Sequence, residues 1–185
     1  MRGIVRNVFE ATTMTVLLLA VTAASADAKA LKCKLDGTFF PPTFEVLTAD
    51  VLTSALGSCS GLGKSAHAGV LTTGTTPDVN GCVSVSSTEP MVAFNKKGDS
   101  ISYTVTGTQC FEDASGATPT TAGFCGPSTD TYSSTLNATI TITGGTGKKA
   151  GASGTGALSG VVDHCDASAP FGNSFHAAIL GSVTP

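Results

Sequence analysis

The feature that most constrains this chain is a strict alternation from Tyr132 to Ile142. Tyr132, Leu136, Ala138, Ile140 and Ile142 fall on one face, and Thr135, Asn137, Thr139 and Thr141 fall on the other. Successive side chains of a strand point to opposite sides, so this pattern predicts a strand with one dry and one wet face. The pattern recurs. Ile101, Tyr103 and Val105 alternate with Ser100, Ser102, Thr104 and Thr106, and Phe175, Ala177, Ile179 and Val183 repeat it near the C-terminus. Shorter strands are expected at 65–73, 82–87, 91–95 and 156–162. Turn residues separate them at Thr75-Thr76-Pro77-Asp78, Lys96-Lys97-Gly98-Asp99 and Gly144-Gly145.

Composition supports the same class. Thr is the commonest residue and Gly is abundant, while charged residues make up only 12%. Thr and Val favour strands, and Gly and Pro punctuate them. One segment reads two ways. Phe44, Leu47, Val51, Leu52 and Ala55 fit a helix closed by Gly57, or a strand with a bulge, and the Thr/Val content tilts the reading to strand. No repeat of 20–50 residues is present. The expected fold is all-β: a single antiparallel barrel of about eight strands.

The N-terminus reads as an address. Arg2 and Arg6 precede the apolar run Val16–Val21, and Ala24-Ser25-Ala26 forms a small-residue cleavage site. Residues 1–26 therefore read as a signal peptide, too short in its apolar part to span a membrane, and 27–185 as one domain. The expected location is secreted or periplasmic. Removing Arg2, Arg6 and Glu10 from the ten basic and thirteen acidic residues leaves eight and twelve. Along the sequence no basic cluster exceeds a lysine pair, which argues against nucleic acid as a partner.

Six cysteines follow the leader: Cys33, Cys59, Cys82, Cys110, Cys125 and Cys165. An even number in an exported chain implies disulfides, with fifteen pairings open. Cys110–Cys125 is the preferred single pair, since it would staple one Gly/Pro/Thr-rich excursion. No C-x-x-C occurs, and no metal or cofactor is expected.

Two phosphate-loop patterns fail on context. Gly145-Thr146-Gly147-Lys148-Lys149-Ala150 fits G-x-G-x-x-A, but Gly151, Gly154, Gly156 and Gly160 oppose the helix that must follow. Ser58–Ser65 resembles a P-loop with Ser58 in place of the first glycine. His67 shares a face with Ser65 opposite Ala66, Ala68 and Val70, a phase that points it to water. Asp163, His164, Asp166 and His176 could ligate a metal, but a polar loop beside a disulfide cysteine is the heavier reading. Asn137-Ala138-Thr139 is a glycosylation sequon.

Two glycine-rich stretches carry a resemblance. Gly61-Leu62-Gly63-Lys64-Ser65-Ala66-His67-Ala68-Gly69-Val70-Leu71-Thr72 and Gly144-Gly145-Thr146-Gly147-Lys148-Lys149-Ala150-Gly151-Ala152-Ser153-Gly154 resemble exported bacterial β-barrel proteins of the allene oxide cyclase and dirigent barrel group. The resemblance implies an eight-stranded antiparallel barrel around an apolar cavity. It gives Gly144, Gly145, Gly147, Gly151 and Gly154 a structural role at a corner between two late strands. Lys149 stands where that group usually has an aromatic residue, and no catalytic residue of the plant cyclases has a counterpart.

The expected function is non-catalytic binding of a small apolar or amphipathic molecule inside the barrel. Phe94, Ile101, Tyr103, Val105, Tyr132, Leu136, Ile140 and Ile142 are the candidate lining residues. A second reading is a cyclase or isomerase of the allene oxide cyclase type, with Glu89, His67 or Tyr103 pointing inward. A third is a structural or surface-interaction module, with a filled barrel and an exposed apolar patch.

Overall fold

The computed structural model describes residues 28–40, 50–112, 132–164 and 173–184. Nine strands form one antiparallel sheet: β1 (Lys29–Phe40), β2 (Asp50–Cys59), β3 (Gly63–Thr73), β4 (Cys82–Ser86), β5 (Met91–Asn95), β6 (Ser100–Glu112), β7 (Tyr132–Thr146), β8 (Ser153–His164) and β9 (Asn173–Thr184). Among the described residues the only helical element is a 3-10 turn, Gly147–Lys149. No helix among them is long and apolar enough to cross a membrane.

The sheet closes on itself. Its order is β2-β1-β9-β8-β7-β6-β4-β3-β5, and β2 also pairs with β3 and β6 with β5. β4 and β5 are two halves of one interrupted strand. β4 pairs with Gly107 and its neighbours on β6, β5 pairs with the Ser100–Tyr103 end, and both lie against β3. The result, among the described residues, is a closed ring of eight strand positions. The expected barrel architecture is therefore what forms.

The alternation read from the sequence sets the core. β6 buries Ile101, Tyr103 and Val105; β7 buries Leu136, Ile140 and Ile142; β9 buries Phe175, Ala177, Ile179 and Val183. β1, not anticipated, follows the same rule: Leu31, Cys33 and Leu35 face in, while Lys32, Lys34 and Asp36 face out. The ambiguous stretch is strand from Asp50 onward, and Gly57 sits inside β2, opposite Leu35, rather than at a helix end. Phe44 and Leu47 lie outside the described residues.

Two expectations on phase are corrected. Phe94 is not a lining residue: it is 46% exposed on the outer face, and Met91 and Ala93 take the inward positions of β5. His67 does not face water: it is 3% exposed, with Ser65 and Leu71 on the same inner face of β3. Register decides both. Ala55, His67 and Ala93 stand opposite one another on β2, β3 and β5, and Leu56, Ala66 and Phe94 stand opposite one another one residue along. A one-residue change of phase swaps the two rows.

The preferred disulfide is also corrected. Cys110 bonds Cys82, and Cys33 bonds Cys59. In each case the two cysteines are direct cross-strand partners, with Cα atoms 3.9 and 4.1 Å apart respectively. Directly opposed residues of neighbouring strands are close enough to be bridged, so ladder register selects the pairs. Cys125 and Cys165 lie outside the described residues. The two bridges are compatible with an oxidising compartment.

One end of the ring is a stitched cap. The β2–β3 turn is tied to β1 by Ser60, which accepts from Lys32 N at 2.9 Å and donates to Ala30 O at 2.7 Å. Asn95 donates to Leu62 O at 3.2 Å, which joins that turn to the β5–β6 hairpin. Asp99 accepts from Lys148 N at 2.9 Å, and Thr146 donates to Gly98 O at 3.1 Å, which joins the hairpin to the β7–β8 corner. Leu62 and Ala152 are buried beneath the cap. Between β7 and β8 the chain makes strand, 3-10 turn and strand, so G-x-G-x-x-A opens no helix. Gly147 (φ +60°), Gly151 (φ +80°) and Gly154 (φ +152°) adopt backbone that other residues rarely do.

Candidate functional site

The barrel interior holds a short polar chain. Alternation places Ser65 and His67 two apart on β3, so both side chains enter the barrel. His67 Nε2 lies 3.1 Å from Ser65 Oγ, and His67 Nδ1 lies 3.1 Å from the Tyr103 hydroxyl on β6. Cys59 Sγ of the Cys33 bridge is 3.5 Å from His67 Nε2. Burial lowers the His67 pKa to about 4, and burial also pushes the Tyr103 hydroxyl well above the ordinary tyrosine range. The imidazole is therefore neutral at physiological pH. One ring nitrogen donates and the other accepts, and the Ser65 and Tyr103 hydroxyls serve either tautomer. A second polar pair, Gln109 Nε2 to Ser134 Oγ at 2.7 Å, is buried on β6 and β7.

Beside the chain lies a small apolar cavity of about 30 Å³, bounded by His67, Tyr103, Met91, Leu136, Leu158 and Phe175 among others. Every strand position of the ring contributes to its wall. That volume admits about one water, against roughly 300–1,000 Å³ for a small-molecule pocket. Of the expected lining residues, Tyr103, Val105 and Leu136 reach the cavity. Ile101, Ile140 and Ile142 are packed core away from it. Phe94 is outside, and the Tyr132 side chain lies outside the description. Glu89 is exposed and brings no carboxylate to the polar chain. Thr53 was not singled out in the sequence, and Ser65 and Cys59, though named there, were not placed beside His67 inside the barrel. Inward phase on β2 and β3 was the signal that could have found them.

The chemistry open to this interior is limited. Ser65 and His67 form a hydroxyl–imidazole pair, but a tyrosine hydroxyl, not a carboxylate, sits at the second ring nitrogen. Nothing there stabilises an imidazolium as a buried carboxylate does in a hydrolase triad. Among the described residues no three His, Cys, Asp or Glu side chains group to hold a metal. His176 instead meets Asp36 at 2.6 Å on the outer surface, where both are exposed and an ion pair contributes little. Asp166 and the His164 side chain lie outside the description, and Asn137 of the sequon is exposed on β7.

The outer face of β2, β3 and β5 is unusual in the opposite sense. Leu56 is 70% exposed, Leu52 51% and Phe94 46%. Register places Leu56, Ala66 and Phe94 in one cross-strand row, and Ser54, Ala68 and Val92 in the next. Leu56, Ala66, Phe94, Ala68 and Val92 form an apolar patch bordered by Ser54 and Asp36, in contrast to the Thr-rich outer face of β6 and β7. No protein-family model matches the chain, and no curated protein or solved structure matches it either.

Proposed function

We propose that this chain is an exported, non-catalytic interaction module: a filled, disulfide-stapled barrel that works through its outer surface. The observation that carries the reading is the cavity beside the Ser65–His67–Tyr103 chain, which at about 30 Å³ is far smaller than a small-molecule pocket. The apolar rows on β2, β3 and β5 supply the surface such a module needs. The two bridges and the leader-like residues 1–26 support a secreted or periplasmic location. Kinship with the allene oxide cyclase and dirigent barrels rests on the glycine-rich stretches Gly61–Thr72 and Gly144–Gly154, and none of that group's chemistry is assigned.

A second reading rests on the Ser65–His67–Tyr103 chain, whose polar atoms face inward beside the cavity. It is the interior ligand or cyclase function, and it requires the core to open around a substrate. Native mass spectrometry of protein purified from its source separates the two. A bare chain mass is expected. A small molecule retained at one per chain would overturn the surface reading in favour of the interior one.

A further inference from the structure

We propose that the capped end of the barrel, with the adjoining row on β2, β3 and β5, docks on an anionic lipid surface. The inference rests on the surface-module reading and names its partner. It starts from the lysines. After the leader the chain has eight basic residues, all lysine, scattered as singles and pairs. The fold gathers all eight at one end. Lys29, Lys32 and Lys34 lie along the first half of β1, and Lys32 is bonded through its backbone to the β2–β3 turn. Lys64 is the second residue of β3. Lys96 and Lys97 form the β5–β6 hairpin, and Lys148 and Lys149 form the 3-10 turn. Lys149 reaches the β2–β3 turn, its Nζ 2.9 Å from where a side chain on Gly61 would begin.

Seven of the eight are exposed, Lys149 being half-buried. Among the described residues none makes a salt bridge to a carboxylate. Asp99 is the one described carboxylate within the cap. It is engaged by Lys148 N and Asn95, with the Lys148 and Lys97 charges nearby. Of the other described carboxylates, Asp50, Asp78 and Asp163 lie at or beside strand ends on the far side of the ring. Glu89 lies between β4 and β5, and Asp36, two residues beyond Lys34, is paired with His176. A chain that is acidic overall thus presents a strongly basic end. That separation creates a directional field, which orients the barrel towards a negative surface.

The second observation is the row beside the lysines. Lys34, Ser58 and Lys64 are cross-strand partners, all exposed. Two residues deeper the outward positions on β2, β3 and β5 are Leu56, Ala66 and Phe94, and Asp36, paired with His176, ends that row on β1. Outward residues two apart on a strand are separated by about 7 Å. Cations at the rim and an apolar row one step away match the phosphate layer of a bilayer and the acyl boundary beneath it. Lysine stems can lie along apolar surface while their ammonium groups stay at phosphate level. A soluble polyanion would use the lysines and leave Leu56 and Phe94 exposed, so the apolar row selects lipid.

Vesicles of mixed phosphatidylglycerol and phosphatidylcholine are the probe, read by co-sedimentation against phosphatidylcholine alone. Binding to the anionic vesicles only, weakening as salt is raised, is expected. The triple substitution Lys34→Gln, Lys64→Gln, Lys96→Gln should weaken it about 100-fold, and Phe94→Ser about tenfold. All four positions are exposed, so an unchanged circular dichroism spectrum and melting temperature will show that the variants fold. The chain has no tryptophan, so Phe94→Trp gives a single reporter whose emission should shift to the blue on anionic vesicles. Absence of binding, or equal binding to both vesicle types, would overturn the proposal. So would capture by heparin with no dependence on Phe94, which would assign the lysine end to a soluble polyanion. A bare native mass alongside any of these failures would leave the surface-module reading standing.

Discussion

His67 Nδ1 lies 3.1 Å from the Tyr103 hydroxyl in the centre of the barrel, and the two rings meet edge-on with centroids 6.2 Å apart. This contact joins β3 to β6, which are not adjacent in the ring because β4 and β5 stand between them. It is therefore a cross-barrel tie, and it places a titratable base where water has little access.

Stability should fall on acidification through this histidine. Its folded pKa is about 4 against an ordinary 6.5, because burial disfavours the charged form. Between those values the unfolded chain binds more protons than the folded one, so stability rises with pH across the window. The contribution is fully present above about pH 6.5, declines as pH falls, and is exhausted below the folded value. Its size is on the order of 3 kcal/mol. Urea titrations at pH 7 and pH 4.5 should show the loss, and His67→Gln should flatten it between those two points. A slope unchanged in His67→Gln would assign the effect to another group.

Tyr103→Phe should cost about 1–3 kcal/mol, the penalty for leaving one buried imidazole nitrogen without a partner. Ring volume and the edge-on packing are preserved, so the cost isolates the hydroxyl. Denaturant midpoints will measure it. Nitrogen NMR of His67 should show Nδ1 changing more than Nε2, since Ser65 still serves the latter.

The strands and their faces were legible wherever bulky or β-branched residues marked the dry side, as at Ile101, Val105, Ile140 and Ile142. The fold of the corner at Gly144–Gly154 was legible because no helix tolerates that glycine density. The polar chain was not. On β3 the small residues Ala66 and Ala68 face out while Ser65 and His67 face in, so hydropathy along that strand alone gives the opposite phase. Phe94 misled in the same direction, since it lies in the same outer row as Ala66. Both misreadings share one cause: an apolar row on the outside mimics a core row, and only the register of three strands separates them. The lysine cluster was illegible for a related reason. Four sequence-distant groups meet only once the turns are stitched together at the cap.

The disulfides should map as Cys33–Cys59 and Cys82–Cys110 when the oxidised protein is digested and its linked peptides are sequenced. Recovery of a Cys110–Cys125 peptide would contradict the ladder register. Each bridge spans a sequence separation of 26 or 28 residues, for which the chain-entropy account gives roughly 3–4 kcal/mol. Replacing Cys33 and Cys59 together by alanine should lower stability by about that amount. The same replacement removes the sulfur beside His67, so it should also shift the imidazole resonances, whereas loss of the Cys82–Cys110 bridge at the far end should not.

The corner glycines should separate into necessary and dispensable. Gly154 has φ +152°, and a Cβ there would strike the carbonyl of Ser182 on β9. Backbone of a paired strand cannot swing aside as a side chain can, so Gly154→Ala should cost about 3 kcal/mol or more. Gly147 has φ +60°, and its Cβ would run into Asp99, the residue that ties the hairpin to the corner. Gly147→Val should therefore damage folding as well. Gly144 differs, because a Cβ on it would meet nothing within 4 Å and its φ lies outside the left-handed region. Gly144→Ala should change stability by no more than about 0.5–1 kcal/mol, in the stabilising direction, through the unfolded chain. Thermal melts of the three variants test the ordering. Equal damage from Gly144→Ala and Gly154→Ala would mean that the corner depends on glycine as a class rather than on two particular backbone positions.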